Sequence, residues 1–218
     1  MKSINWKDHL VNLVVVILGI SIAFYLEGWR GDREDRKLEI KYLNDLALDL
    51  EYDEQLLDTL LIVDSINIMK MDDILNRSAN GQRMDFDGTF LDLVYYVPFT
   101  PKSVTYETIV NAGKLEVISS YEVQNNVVFL YNQLYGGVSA WDQYLTAHIN
   151  GYIKPITMKG VKIKSDQISS SLLRNEEYIN AIVINKNMLS SSMSLRKQTL
   201  EHIGLTKEML VNRKERME

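Results

Sequence analysis

Three histidines are the only imidazoles in this 218-residue chain: His9, His148 and His202. No H-x-x-x-H or E-x-x-H pair occurs, so the sequence offers no ligand set of the kind that holds zinc or a di-iron centre. There is no cysteine, which removes disulfides, thiolate metal sites and thiol nucleophiles together. The carboxylates Asp45, Asp49, Glu51, Asp53, Glu54 and Asp58 are dense. Their spacing spreads them around several faces of a helix, which predicts a solvated surface and not a calcium loop. Ser190, Ser191 and Ser192 have no histidine close in sequence. No G-x-G-x-x-G, phosphate loop, G-x-S-x-G or kinase signature is present. The expectation is a protein that is not an enzyme and carries no cofactor and no metal.

One other group of residues could bind something. Tyr95, Tyr96, Phe99 and Tyr106 surround the loop VPFTPKS, and Tyr131, Tyr135, Trp141 and Tyr144 recur beyond it. Aromatic rings at this density predict core and loop packing. The sharper alternative is a pocket or partner surface beside the loop, walled by Phe99, Pro101 and Tyr106.

The elements that would position these residues begin with an apolar run from Leu10 to Leu26, broken only by Asn12 and Ser21. At 1.5 Å per residue it spans roughly 25 Å, the short end of a membrane crossing. Trp6, Tyr25 and Trp29 flank it as an interfacial aromatic belt would. The run has no polar face, which argues against a buried core helix. A cleavable signal peptide is the rival: Lys2 and Lys7 give a basic start and Ser21-Ile22-Ala23 a small-residue site. Against cleavage, bulky Phe24, Tyr25 and Leu26 continue the run past that site. Within the run, Asn12, Gly19 and Ala23 form a stripe suited to contact with another membrane helix. Lys and Arg counted alone would put the large domain in the cytoplasm.

Helix formers dominate residues 38–75, with no proline between Met1 and Tyr96. A heptad frame fits Ile40, Leu43, Ala47, Leu50, Glu54, Leu57, Leu61, Asp64, Ile68, Met71 and Leu75, interrupted at Glu54 and Asp64. The frame predicts a long helix with one apolar seam, available for self-association or for the chain's own later helices. NRSANG at 76–81 supplies a stop. Further on, Asp87 is expected to cap a helix reaching Tyr96 and Ser103 to open another that ends at Gly113. Ser119 and Glu122 form a capping-box candidate for a helix to Tyr135, with a bend or break at Gly136-Gly137. Pro155 is expected in a loop, followed by a short strand at Val161–Ile163. A last helix is expected over Asn175–Ile203, closed by Gly204, with Thr206 capping a charged tail.

The division expected is an N-terminal tail (1–9), a transmembrane helix (10–29), a long charged helix (30–78), a helical domain (79–204) and a charged tail (205–218). The fold class is mainly α, a membrane helix running into a helical bundle. A net charge of −5 leaves no basic surplus for nucleic acid. The expected partners are the lipid bilayer, other membrane proteins and the chain itself.

Two blocks carry a resemblance. The first is Leu18, Gly19, Ile20, Ile22, Ala23 and Trp29, followed by Lys41-Tyr42-Leu43. The second is Phe99, Pro101, Thr105-Tyr106-Glu107, Gly113, Leu115 and Ile118. Together they resemble a family of uncharacterised bacterial inner-membrane proteins, over roughly residues 10–135. The resemblance implies a single-pass protein with its N-terminus inside, its domain in the periplasm and no assigned activity. The chain departs from the family in its short tail, which carries two lysines where members carry a longer basic one. The functional expectation is a non-enzymatic scaffold, assembly or accessory subunit of a cell-envelope complex, with a membrane-anchored sensory or small-ligand-binding module as the alternative.

Overall fold

The computed structural model describes residues 6–82, 92–162, 167–168 and 172–217. These residues are mainly α-helical, in four helical rods. The first, α1 (Trp6–Ala79), runs 74 residues without a break, roughly 110 Å at 1.5 Å per residue. Nothing in its sequence opposes this, since proline is absent and its glycines sit in an otherwise helix-favouring chain. It ends where foreseen. Gly81 takes φ +64°, and the N–H groups of Gly81 and Gln82 donate back to Ser78 and Arg77, the left-handed cap that glycine permits.

A short helix α2 (Val104–Asn111) follows, with Ser103 at its N-cap. Gly113, φ +63°, closes it in the same way as Gly81. The third rod, α3, covers 121–160 and does not break at Gly136-Gly137 as the sequence suggested. Two π-helical turns, Leu130–Leu134 and Ile149–Ile153, punctuate it instead. The second π turn directly precedes Pro155, which sits inside the helical segment Lys154–Gly160 and not in a loop. A wider turn eases the clash between the proline ring and the preceding turn's carbonyl. Gly137 serves close packing: a Cβ there would lie 3.1 Å from Leu195. Ser120, not Ser119, caps α3 by accepting from the Val123 N–H.

Strand β1 (Val161–Lys162) pairs antiparallel with β2 (Gln167–Ile168). Ile163, the end of the expected strand, and Asp87, the expected cap, lie outside the described residues. The last rod, α4 (Glu176–Glu215), is capped by Asn175, which accepts from the Tyr178 N–H. It runs through Gly204 and Thr206, so the expected stop there is corrected. Thr206 is buried and donates to the carbonyl of His202 one turn back, an ordinary way for threonine to sit inside a helix.

The bundle forms on the second half of α1. Leu43, Leu46, Leu50, Leu57 and Leu60 pack with Phe99, Ile109, Ile118, Val127, Leu130 and Ile203 in one apolar layer. Met71 and Ile74 pack with Leu145, Ile149, Ile153, Tyr178, Ile182 and Leu189 in a second. The heptad row Leu43, Leu50, Leu57, Asp64, Met71 is therefore buried within the chain. Its companion row is 46, 53, 60 and 74, one residue before the row expected from the sequence. The first half of α1 differs: every side chain described from Leu10 to Lys37 is exposed. This N-terminal stretch is long and apolar enough to cross a membrane, with none of its apolar window buried.

Candidate functional site

A charged layer separates the two apolar ones. The rows that build the core read Leu57, Asp64, Met71 on α1, Val138, Asp142, Leu145 on α3 and Leu189, Arg196, Ile203 on α4, so each rod contributes one charge at the same level. Arg196 is fully buried, and its two carboxylate partners are nearly so. Its Nη1 donates to Asp64 Oδ2 at 2.7 Å, and its Nη2 donates to Asp142 Oδ1 at 2.9 Å and to the Tyr96 hydroxyl at 2.6 Å. The guanidinium also lies 5.4 Å from the Tyr96 ring centroid, within range of a cation–π attraction. Asp142 is the better supported acid. It accepts from the Tyr96 hydroxyl at 2.6 Å and from the Phe99 N–H at 2.7 Å besides Arg196.

Two carboxylates thus share one guanidinium in a buried site, where an uncompensated charge is costly. Burial pushes the Asp64 carboxyl up to about 6, against the pull of Arg196. Burial also works against the charge on Arg196, but Tyr96, Asp64 and Asp142 outweigh it and hold its pKa above the ordinary value. The Tyr96 hydroxyl is pushed up, by burial first, so it remains a donor. Arg196 Nε meets no acceptor among the described residues.

A second set of acids on α1 holds the segment that carries the T-Y-E block. Asp53 accepts from the Lys102 N–H at 2.8 Å and from the Tyr135 hydroxyl at 2.7 Å. Burial raises its pKa, and those two hydrogen bonds pull the other way. Asp49 accepts from the Thr105 N–H at 3.3 Å and pairs with Lys102 Nζ at 3.0 Å. Ser103 makes no side-chain cap, so this carboxylate, borrowed from α1, meets the positive end of α2. Glu39 accepts from the Ser119 N–H and hydroxyl and from Arg213 Nε. Asp49 and Asp53, expected on a solvated face, are buried structural acceptors; Glu51 and Asp58 are exposed as expected.

The residues proposed from sequence as a pocket wall are distributed as follows. Phe99 is buried, edge-on to Tyr135 at 5.2 Å. Tyr106 stacks on Tyr131 at 4.3 Å, and Pro101 is half-buried. Phe99 borders an open hollow of about 370 Å³ with Pro98, Ser139 and Thr146, which Tyr106 does not reach. Asn12, Gly19, Ala23, Tyr25 and Trp29 are exposed on the apolar half of α1, and Trp6 is its first residue. The three histidines are not brought together: His148 contacts the Ala181 carbonyl and His202 lies against Phe129. Among the described residues no group of His, Asp or Glu is arranged to hold a metal ion.

Sequence reasoning missed Asp142 and Arg196 altogether. Their signal was present, because each is the only charged residue in an otherwise apolar or uncharged heptad row. Comparison with family models, curated proteins and solved structures finds no match to this chain.

Proposed function

We propose that this protein is a single-pass membrane protein of the bacterial inner membrane. Its helical domain stands in the periplasm and acts as a non-enzymatic scaffold or accessory subunit of an envelope complex. The observation that carries this reading is the shared helix: one unbroken rod is bare and apolar at Leu10–Leu26, then becomes the spine of the bundle. Bare aliphatic side chains at this density are stable in lipid and not in water. A domain rooted in its own anchor helix holds a fixed direction relative to the bilayer, which suits a part that positions others. The charged stem of 30–37 separates the belt at Trp29 from the first bundle contact at Glu39 by about 15 Å along the helix. The buried acids favour the same reading, since each is engaged by hydrogen-bond donors of the fold. The resemblance of the two sequence blocks to bacterial inner-membrane proteins supports the topology.

Two measurements test it. An alkaline phosphatase fusion after Glu218 should be active and a cytoplasmic reporter at the same point silent; the reverse pattern rejects periplasmic placement. Mild detergent extraction of the untagged protein should bring envelope proteins in fixed stoichiometry, and recovery without any partner contradicts the scaffold role.

A further inference from the structure

The two acids that share Arg196 are unequally provided for. Asp142 accepts from Arg196, from the Tyr96 hydroxyl and from the Phe99 N–H. Asp64 has Arg196 alone, through Oδ2, and among the described residues nothing donates to its Oδ1. Its side chain is only 3% exposed, so bulk water does little to make up the difference. Asp64 nevertheless lines a hollow of about 350 Å³ between α1 and residues 92–97.

The other walls of this hollow are of two kinds. Val63, Ile66 and Val97 give an apolar flank, to which Tyr95 and Tyr96 add two rings. Lys70 and Asp92 also line it and pair with each other. Behind the wall Arg196 is divided between Asp64 and Asp142. Three carboxylates and two cations meet here, so one negative charge is left over. We propose that the hollow binds a small primary amine as its ammonium ion, the charged head on Asp64 Oδ1 and an apolar body against Val63, Ile66 and Tyr95.

Each part of such a ligand answers one feature. An ammonium supplies the donor that Oδ1 lacks and cancels the leftover charge, which is costly to bury unpaired. Tyrosine rings at the wall attract a cation over their faces. An anion would add to the negative charge, and a neutral apolar molecule would leave Oδ1 as it is. A metal ion needs more ligands, and among the described residues no group of three His, Asp or Glu is placed to hold one. The volume, about 350 Å³, lies at the small end of ligand pockets and suits a single ring or short chain. A proton is the natural competitor. Burial pushes the Asp64 carboxyl up to about 6 against Arg196, while Asp142 pushes the same way as burial. The carboxylate is therefore ionised at pH 7.5 and largely protonated at pH 5.

Benzylamine is the probe, with benzyl alcohol as its uncharged counterpart, titrated into the full-length protein in a neutral detergent and followed by saturation-transfer NMR. At pH 7.5 benzylamine should bind at least about tenfold more tightly than the alcohol, and Asp64→Asn should remove that advantage. At pH 5, where benzylamine is still an ammonium, its affinity should fall about tenfold. Ile66→Trp, at an exposed position, fills the hollow without changing a charge and should abolish binding. Lys70→Met frees Asp92 from its partner and should strengthen binding several-fold. The hollow lies in the bundle, so failure here leaves the membrane reading standing, and release of the chain by carbonate leaves this site standing. Equal binding of the alcohol, binding that survives both Asp64→Asn and Ile66→Trp, or no binding at millimolar benzylamine overturns the proposal.

Discussion

The two halves of α1 share one backbone and solve opposite problems. From Leu10 to Leu26 the helix carries no charged residue, and every side chain described there is exposed. From Glu39 to Asp64 it buries four carboxylates among leucines. The first half is long and apolar enough to cross a membrane and leaves its apolar side chains uncovered by the chain. The second half supplies acceptors to a segment that has few partners of its own. Residues 96–120 contain one short α-helix, a single 3-10 turn at Leu115–Val117 and much irregular chain, so many of their N–H groups must find acceptors elsewhere. Glu39, Asp49 and Asp53 provide them from the rod alongside, and Asp142 does so from α3. Apolarity thus marks where α1 leaves the protein, and acidity marks where it holds the protein together.

Arg196→Met should break this contrast most severely. It leaves Asp64 and Asp142 buried without their cation, which costs about 3–5 kcal/mol, and the domain should unfold at markedly lower urea. Asp64→Asn should have a smaller, pH-dependent effect. The folded chain binds the Asp64 proton more tightly than the unfolded chain does, so this group's contribution to stability falls as pH rises from about 4 to about 6 and is lost above. The wild type should therefore gain stability relative to Asp64→Asn on acidification from pH 7.5 to 5, on the order of 1 kcal/mol; unfolding of both chains at the two pH values measures it. Ser120→Ala removes one cap from α3 and should cost about 1 kcal/mol, read from the same denaturation curves. Ile17→Ala, on the bare half, should change domain stability by less than about 0.5 kcal/mol. If it destabilises the domain as Ser120→Ala does, the two halves are not independent.

The long apolar N-terminal helix, the stop at Gly81, the opening at Ser103 and the left-handed Gly113 were legible because each depends on a few neighbouring residues. The α1 seam was half legible. One row was right, and the other was displaced because Asp53 was counted as solvent-facing when its partners lie 49 and 82 residues away. The same distance hid the charged layer, since Asp64 and Arg196 are 132 residues apart. Gly136-Gly137, Pro155 and Gly204 were misjudged for a different reason. Local propensity opposes helix at each, but packing against the other rods and two π turns override it.

The central claim is that lipid surrounds the bare half of α1 while the bundle stands in water. Alkaline carbonate extraction of membranes containing the full chain tests it most directly. The intact polypeptide, still beginning before Leu10, should remain entirely with the pelleted bilayer; its appearance in the supernatant, or a mature N-terminus at Phe24, would contradict the account.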